Sequence, residues 1–488
     1  MRDAVRALGS LPAALRALRH DDLPISPALM WTIFWIAAGS FVPLLFLQYV
    51  GEEALYTLVA QEMWAKQEFI STSLYGGGFG RPGIYSWLIL LLTGALGADN
   101  ILIAARLITV ASTLSMGLVL AWLVRKIFKD GLLAAVSAAV FLSGDVLLYR
   151  GWLAYVDPFF SAFTFAAMAC LWAAVEERRR GLLLLAVLAL IGSFLAKALT
   201  GYVFYGGLGL VLLWRHANRR FLLGPLSLAL HAGAAAFPFL WDMLLSKDAV
   251  MGSMLAQILF QLGNHDAPNL LTYVGLVLWY PLRTFWYLLP VSAVAVYALV
   301  RGGFSGSLRQ APIDIAAWTL LVDVLPYWLT PGSSPRYVMP LYPLAALLMS
   351  FIVLQSGKVV TGAAVKALVG MIVVAYVAAL VGFPLYEHYI RGSYRAAAQM
   401  ILDRAGREPI YATDVTSVGL SIVANLNVLR APQPPITFPP SDFASGYVLA
   451  MQPDPKIGPV DRTFALGRNA SGSRTRYLLC RGAACNRP

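Results

Sequence analysis

Two adjacent carboxylates, Glu52 and Glu53, directly follow the first apolar run that is long enough to cross a bilayer. Charged side chains at the edge of a bilayer are costly and are not needed for anchoring, so this pair suggests a chemical role. A carboxylate within hydrogen-bond reach of a hydroxyl group can accept its proton and act as a general base. The alternative is a solvated first helical turn beginning near Ala54, where acidic residues complement the helix dipole. The residues alone leave both interpretations open.

A further acid, Asp157, precedes Pro158 at the start of another apolar run. It could bring a second carboxylate to the same face of the membrane. Aspartate before proline is also an ordinary way to begin a helix, with the acid as N-cap and the proline in the first turn. Capping and chemistry can coexist at one residue, so Asp157 is a second candidate acid.

Several cations lie beside or within apolar sequence on the side of the membrane that carries Glu52. They are Arg81, Lys197, Arg283 and Arg336. Snorkelling toward lipid headgroups explains any single one. A group of them on one side favours a shared anionic ligand, and the guanidinium fork suits phosphate oxygens. His265, in loop 246–282, could shuttle a proton or bind a metal ion, although a lone loop histidine usually does neither.

The sequence lacks other familiar catalytic patterns. It contains no Cys–His spacing of the metal-binding kind, no nucleotide-binding glycine fingerprint and no serine-nucleophile elbow. Nucleotide-driven chemistry is therefore not expected. Carboxylates and cations in apolar surroundings instead suit a reaction between a lipid-linked phosphate donor and an acceptor outside the cytoplasm. The cations would hold the phosphate and stabilise the leaving group, while a carboxylate deprotonates or orients the incoming hydroxyl.

The composition is that of a membrane protein. Of the 488 residues, 59% are hydrophobic and 13% are charged, which is too little charge for the surface of a soluble domain. The net charge of +12 does not indicate nucleic-acid binding, because the basic residues fall in short connections between apolar runs and act as an orientation signal. The basic N-terminal region is too long for a cleavable signal peptide. A basic amphipathic stretch, Leu11–Arg19, is predicted to rest on the cytoplasmic leaflet.

The fold class predicted from these runs is a polytopic α-helical membrane protein with about 11–13 transmembrane helices. The apolar runs lie approximately at 28–50, 100–124, 131–149, 157–175, 181–197, 202–214, 222–245, 283–300, 312–330, 336–355 and 367–387. Basic residues occupy alternate connections, which places the N-terminus in the cytoplasm. The first loop (51–99) and the C-terminal tail then lie on the opposite, periplasmic side.

Two parts of the outer face are predicted to have structure of their own. Leu55, Leu58 and Met63 recur at helical spacing, which predicts a helix over Ala54–Lys66 lying along the membrane interface, and residues 84–97 are typical of a second such helix or a shallow extra span. Residues 1–390 form the transmembrane domain in this interpretation, and residues 391–488 form a small periplasmic α/β domain. Its predicted elements are helices Ala396–Ala405 and Val418–Asn425 and strands Pro409–Ala412, Gly446–Met451 and Arg476–Cys480. Cys480 and Cys485 could form a disulfide if the tail faces an oxidising compartment.

An ordered set of motifs over residues 28–350 resembles the GT-C superfamily of lipid-phosphate-sugar glycosyltransferases, in particular the aminoarabinose (lipid A) transferase and protein O-mannosyltransferase group. The motifs are Glu52-Glu53-Ala54-Leu55-Tyr56, Arg81-Pro82-Gly83-Ile84-Tyr85-Ser86-Trp87, Ala104-Ala105-Arg106-Leu107, Asp157-Pro158, Leu195-Ala196-Lys197-Ala198, Phe285-Trp286-Tyr287-Leu288-Leu289-Pro290 and Tyr337-Val338-Met339-Pro340-Leu341-Tyr342-Pro343.

This resemblance implies roles for individual residues. Glu52 takes the position of the acid that activates the acceptor, where the family has aspartate, and Asp157 is the second catalytic acid. Arg81, which stands where the family has lysine, and Lys197 would bind the donor phosphate. Arg283 and Arg336 are expected to bind it with them, because all four cations lie on the same side. The residues expected to contact substrate are Glu53, Tyr56, Tyr85, His265 and Tyr337. Gly80 stands where some relatives carry a metal-ligating glutamate, so no metal site or other cofactor is firmly predicted and a divalent ion stays open.

The function that we expect is a glycosyltransferase of the bacterial inner membrane. It would move a sugar from a polyprenyl (undecaprenyl) phosphate carrier to lipid A, another glycan or a protein, by single displacement with inversion. We expect it to act as a monomer in the lipid bilayer and not to bind nucleic acid. The alternatives are a flippase for lipid-linked sugars and a glycan ligase that uses diphosphate-linked donors.

Overall fold

The computed structural model describes residues 25–144, 150–197, 199–245, 269–301, 303–330, 334–466 and 474–486. Among these residues, 6 helices are long and apolar enough to cross a membrane, or 7 if the helices Leu270–Tyr287 and Val291–Val300, bent by 112°, form one span. The chain is therefore a multi-pass membrane protein, as predicted. The stretch Leu11–Arg19 lies outside the described residues.

The membrane part and its first loop are helical. The helices are α1 (Pro27–Gly39), α2 (Ala54–Lys66), α3 (Ile84–Leu96), α4 (Ile101–Phe128), α5 (Gly131–Leu142), α6 (Val156–Glu177), α7 (Arg180–Ala196), α8 (Thr200–Arg215), α9 (Pro225–Leu245), α10 (Leu270–Tyr287), α11 (Val291–Val300), α12 (Ala311–Leu329), α13 (Tyr342–Gln355) and α14 (Lys358–Val377). A short hairpin, β1 (Ser73–Leu74) and β2 (Gly77–Gly78), lies between α2 and α3. A 3-10 helix, Pro335–Leu341, leads into α13. Beyond α14 the helix continues through the π-helical turns Ala378–Gly382 and Glu387–Arg391, which flank Phe383–Tyr386.

Length and composition alone do not yield the predicted 11–13 spans among the described residues. Helix α7 has 17 residues and α8 has 16, although both coincide with predicted spans. At 1.5 Å per residue such helices extend roughly 24–26 Å, less than the roughly 30 Å hydrocarbon layer. Both pack on longer neighbours, α7 against α6, and α8 against α6 and α12. The predicted segments are helices, but several are too short to be full crossings by themselves.

The tail forms a small α/β unit. Its elements are α15 (Tyr394–Ala405), β3 (Ile410–Ala412), α16 (Ser417–Arg430), β4 (Gly446–Ala450), β5 (Val460–Ala465) and β6 (Thr475–Arg481). The strand order is β3-β4-β6-β5, with β3 parallel to β4 and the other pairs antiparallel. Cys480 and Cys485 form a disulfide, as the sequence allowed. Strand β5 was not predicted, because most of its side chains are polar or exposed and give no apolar pattern.

Helix α2 has the predicted bounds but a different environment. One side packs on α3 and α4, and the other side contacts α16 of the tail. Glu62 is buried and accepts hydrogen bonds from Ser73 Oγ (2.8 Å) and the Gly76 amide (3.0 Å). Gln61 Oε1 accepts a hydrogen bond of 3.0 Å from Asn427 Nδ2 of α16. The helix is therefore held between the membrane helices and the tail, and does not rest on the membrane with a solvated polar face.

Candidate active site

A cavity of about 820 Å³ lies where the first loop, the membrane helices and the tail meet. Most of the predicted site residues line it, namely Glu52, Tyr56, Arg81, Asp157, Lys197, Arg336 and Tyr337. They come from the start of α2, the loop before α3, the start of α6, the end of α7 and the 3-10 helix before α13. Residues separated by almost 300 positions in the sequence thus share one chamber.

The acids and cations of the cavity form a connected network. The Lys197 ammonium contacts Asp157 Oδ1. Arg336 lies between the two acids, with Nη1 3.5 Å from Glu52 Oε2 and Nε 3.8 Å from Asp157 Oδ2. The Asp157 side chain is 9% exposed and the Glu52 side chain 58% exposed. Asp157 is thus enclosed by cations, whereas Glu52 presents its carboxylate to the open part of the cavity.

The backbone that carries Glu52 is fixed by Tyr155. The Glu52 amide donates a hydrogen bond of 3.2 Å to Tyr155 Oη. The preceding Gly51 has a φ of +59°, and a Cβ at this position would lie 2.1 Å from the same oxygen. Only glycine combines the left-handed conformation with this close approach. The sharp turn at Gly51 therefore lets the chain that follows α1 turn into α2 and present Glu52 to the cavity.

Asp157 is not the N-cap that its sequence context suggested. Helix α6 begins at Val156 with Tyr155 as N-cap, so Asp157 is the second helical residue. An acid in the first turn still gains from the helix dipole. Its carboxylate is aimed at Lys197 and Arg336, so the position serves both the helix start and the ion network.

Aromatic rings hold the cations in place. Arg81 Nη1 donates a hydrogen bond of 3.0 Å to Tyr56 Oη, and its guanidinium lies 5.4 Å from the Phe79 ring. Burial raises the pKa of Tyr56, and the adjacent Tyr56, which accepts this hydrogen bond, raises the pKa of Arg81. The Tyr337 ring lies 4.7 Å from Lys197 Nζ and 5.5 Å from the Arg336 guanidinium. Cation–π contacts of this kind restrain the long side chains without neutralising them.

Glu53 does not contact the cavity and is not placed to bind substrate. Its carboxylate is fully buried and accepts hydrogen bonds from Arg106 Nε (2.9 Å) and Nη2 (2.6 Å). The amides of Val50 and Ala154 also donate to it, at 2.7 and 2.8 Å. Adjacent glutamates on a helical start point in different directions, which is why only one of the pair reaches the cavity.

Three other residues that were predicted to bind substrate or phosphate are not found among the residues that line the cavity. Tyr85 is buried and is not among the residues that line the cavity; its hydroxyl pairs with Thr109 Oγ1 at 2.9 Å and the Ala105 carbonyl at 3.2 Å, and its ring packs on Tyr56, so it supports the wall instead of lining it. Arg283 lies on α10 and is not among the residues that line the cavity. His265 lies outside the described residues.

Several lining residues were not predicted. Arg150, Tyr155 and Tyr327 belong to the membrane part, and Arg150 could have been noticed as another outer cation a few residues before Asp157. Thr416, Ser417 and their neighbours Val415 and Leu420 come from the tail. Nothing in their sequence marks them, because only the folded contact between α16 and α2 brings them to the cavity.

The described part of the chain contains no group of three or more His, Cys, Asp and Glu side chains arranged to hold a metal ion. Among the described residues that line the cavity, four are cations (Arg81, Arg150, Lys197 and Arg336) and two are acids, Glu52 and Asp157. The excess of positive charge suits an anionic ligand such as a phosphate diester.

Comparisons with known proteins agree with the resemblance. Undecaprenyl phosphate-alpha-4-amino-4-deoxy-L-arabinose arabinosyl transferase 2 of Sodalis glossinidius (strain morsitans) is 25% identical over 329 residues, 61% of this chain and 54% of the relative. The corresponding transferase of Pseudomonas aeruginosa (strain UCBPP-PA14) is 26% identical over 351 residues, 65% of this chain and 58% of the relative. The match thus spans little more than half the length of these relatives. No protein-family model matches the chain.

Solved structures establish the fold. ArnT from Cupriavidus metallidurans bound to undecaprenyl phosphate superposes with a TM-score of 0.68 and 14% identity, covering 94% of this chain and 99% of that chain. The archaeal oligosaccharyltransferase AglB from Archaeoglobus fulgidus gives a TM-score of 0.52 and 12% identity, covering 84% and 64%. The fold is therefore that of ArnT, and the predicted resemblance to the aminoarabinose transferases is confirmed.

Proposed function

We propose that the protein is a membrane glycosyltransferase that moves a sugar from a polyprenyl phosphate to an acceptor outside the cytoplasm. The observation that carries this proposal is one cavity holding an open carboxylate, Glu52, beside an enclosed acid, Asp157, and a surplus of cations. The names of the relatives, which specify an undecaprenyl-phosphate-linked aminosugar, support the donor class.

The proposed reaction is a single displacement at the anomeric carbon. The acceptor oxygen forms the new bond to that carbon, the bond from the carbon to the phosphate oxygen breaks, and polyprenyl phosphate leaves with the electron pair. Glu52 takes the proton of the acceptor hydroxyl, because its carboxylate faces the open cavity. Lys197, Arg81 and Arg336 stabilise the charge that develops on the leaving phosphate.

Asp157 has a different part in this proposal. Its contacts with Lys197 and Arg336 hold both cations in the cavity before the donor arrives. Asp157 thus sets the position of the two cations. When the donor binds, a phosphate oxygen competes with the Asp157 carboxylate for the same N–H donors, and some of these donors then bind the phosphate. Glu52, only 3.5 Å from Arg336 Nη1, is thereby kept beside the bound phosphate.

The proposal places the cavity on the periplasmic side of the bacterial inner membrane. The alternation of basic connections supports this orientation. The Cys480–Cys485 disulfide supports it independently, since disulfides persist in oxidising compartments. We also propose that the acceptor is lipid A, another glycan or a protein, and that the protein acts as a monomer.

The test is a deletion strain complemented with wild type, Glu52→Gln or Glu68→Gln, the last a control on the same loop outside the cavity. Loss of the transferase should make undecaprenyl-phosphate-linked sugar accumulate in lipid extracts and should remove one sugar from an envelope component. Wild type and Glu68→Gln should reverse both changes, and Glu52→Gln should reverse neither. A deletion with no donor accumulation, or full complementation by Glu52→Gln, would overturn the proposal. A flippase would instead change which leaflet holds the donor without releasing undecaprenyl phosphate.

A further inference from the structure

Two hydroxyl residues of the tail, Thr416 and Ser417, line the active-site cavity together with Glu52 and the cations. They stand where α16 begins, with Thr416 as its N-cap. Their neighbours in the cavity wall, Val415 and Leu420, are apolar, so the described tail residues of this wall carry no charge. The cations named above come from the first loop and the membrane part. The tail wall therefore differs in chemistry from the wall proposed to bind the phosphate.

A ring of contacts fixes the position of Thr416. The guanidinium of Arg476, on β6, forms an ion pair through Nε with Asp414 Oδ2, and its Nη2 donates a hydrogen bond of 2.7 Å to Thr416 Oγ1. Asp414 Oδ1 in turn accepts a hydrogen bond of 2.8 Å from the Thr416 amide. The side chains of Arg476 and Asp414 are 1% and 0% exposed, and neither residue lines the cavity. This buried ion pair thus acts on the cavity through Thr416.

The first loop also holds this segment of the tail. Tyr75, in the turn between β1 and β2, is buried and donates a hydrogen bond of 3.1 Å from Oη to the Asp414 carbonyl. Its ring lies 5.3 Å from the Phe438 ring of the tail, and the Phe438 amide donates to the Tyr75 carbonyl at 2.9 Å. The loop that carries Glu52 is therefore bonded to the loop that carries Thr416. These contacts set the position of Thr416 relative to the proposed base.

The Thr416 hydroxyl is placed to act as a hydrogen-bond donor in the cavity. A hydroxyl group has one O–H donor and two acceptor lone pairs. Its oxygen already accepts hydrogen bonds from Arg476 Nη2 and, at 3.4 Å, from the Gly419 amide. Neither contact uses the hydroxyl proton, and within the described ranges no protein acceptor pairs with it. Because a cationic donor on the oxygen polarises the O–H bond, the proton is well suited to bind an oxygen atom of a ligand.

The chemistry of the tail wall fits the sugar of the donor better than its phosphate. In the proposed displacement, the anomeric carbon lies between the acceptor oxygen at Glu52 and the leaving phosphate. The phosphate needs the cations of the opposite wall, whereas a neutral O–H group suits the neutral oxygens of a sugar. Val415 and Leu420, which line the cavity with Thr416, offer apolar contact to the C–H groups of a sugar ring.

We infer that Thr416 donates a hydrogen bond to the sugar of the lipid-linked donor, and that Arg476 and Asp414 are positioning residues for this contact. The sugar lies against the tail wall while its phosphate is bound by the membrane part. This inference rests on the proposed function, and it adds residues that recognise the transferred group.

The first test separates the sugar from the phosphate. The probes are undecaprenyl-phosphate-linked sugar purified from the deletion strain and undecaprenyl phosphate alone, and their binding to the purified full-length protein is measured without acceptor. Thr416→Val should bind the sugar-linked lipid about 5- to 10-fold more weakly than wild type, the effect of one hydrogen bond, and should bind undecaprenyl phosphate equally well. Equal binding of undecaprenyl phosphate also shows that the variant is folded. Thr416→Ser, which keeps the hydroxyl, and Thr413→Val, the same change in the same loop at a residue that does not line the cavity, should match wild type with both lipids.

The second test concerns the positioning residue. Arg476→Lys keeps the positive charge beside Asp414 but loses the planar fork that also reaches Thr416. It should weaken binding of the sugar-linked lipid severalfold and leave binding of undecaprenyl phosphate unchanged, a difference that a purely structural role would not produce. Arg481→Lys, on the same strand outside the ring of contacts, is the matched control and should bind both lipids like wild type.

The two binding assays also show which proposal fails. Wild-type binding of the sugar-linked lipid by Thr416→Val would overturn the inference and leave the proposed function standing. An equal loss for both lipids would overturn it as well, because the role of Thr416 would then concern the phosphate or the fold. A deletion strain that accumulates no sugar-linked lipid would remove the proposed function and this inference together.

Discussion

Arg106 and Glu53 form a fully buried ion pair in which two guanidinium nitrogens meet the two carboxylate oxygens at 2.9 and 2.6 Å. Arg106 also donates to the carbonyls of Leu44 (2.9 Å) and Gln48 (2.9 Å), and Glu53 accepts from the Ala154 amide. The pair thereby joins the chain that leads into Glu52 to the chain that leads into Asp157. The spacing of the two acids in the cavity depends on this connection.

Removal of the Glu53 carboxylate should destabilise the protein. Glu53→Ala leaves the Arg106 charge buried without its partner, a change that typically costs about 3–5 kcal/mol. We expect a clearly lower midpoint of thermal unfolding for Glu53→Ala in detergent. Glu52→Ala, one residue away and largely exposed, should unfold within a degree or two of wild type. Equal midpoints for the two variants would contradict the structural assignment of Glu53.

Substitutions of the two acids in the cavity should have different effects on turnover and on binding. Positioned general bases contribute roughly 10²–10⁴-fold to rate, so Glu52→Gln should lower turnover by that factor while undecaprenyl phosphate still binds. Asp157→Asn should change binding as well, because Asp157 holds Lys197 and Arg336 in place. Steady-state release of undecaprenyl phosphate, together with a direct binding assay, separates these effects. A normal rate for Glu52→Gln would exclude it as the base.

Affinity for the carrier should depend on the cations of the cavity. Hydrogen bonds to charged groups are worth about 1.5–3 kcal/mol, so Lys197→Ala and Arg81→Ala should each weaken undecaprenyl phosphate binding roughly 10- to 100-fold. Arg309→Ala is a suitable control, since Arg309 precedes α12 and Tyr327, near the other end of that helix, lines the cavity. Tight binding by Lys197→Ala would argue against a phosphate site in this cavity.

The packing of the short helix α8 on α12 can be tested at one glycine. A Cβ at Gly207 would lie 1.8 Å from Asp323 Oδ1, whereas a Cβ at Gly206 would meet nothing within 4 Å. Overpacking of this kind typically costs about 1–3 kcal/mol. Gly207→Ala should therefore lower the unfolding midpoint, and Gly206→Ala should leave it unchanged or raise it. The comparison is made by thermal unfolding in the same detergent.

Much of the architecture could be predicted from patterns that act locally. Apolar length predicts the helices, and the bounds of α2 and α15 follow from helical spacing within a few residues. Glu52, Asp157, Arg81 and Lys197 stand out because charge is unusual next to apolar sequence. Local anomalies of this type need no knowledge of the fold to be noticed.

Other features depend on contacts that the sequence does not encode locally. The sequence does not distinguish Glu52 from Glu53. Only the position of Arg106 in the fold shows that Glu53 is the buried one. Tyr85 is a residue type that often binds substrate, but its hydroxyl is hydrogen-bonded to the buried Thr109. Thr416 and Ser417 reach the cavity because the tail packs on α2, a contact between residues more than 350 positions apart.

The tail supplies part of the wall of the active-site cavity that holds Glu52, whereas Asp157 and Lys197 belong to the membrane helices. Under the proposed function, the loop that precedes α16 can change in sequence while the residues that stabilise the leaving group stay the same. A change of the transferred sugar would then alter residues of the tail, and a change of lipid carrier would alter residues of the membrane helices.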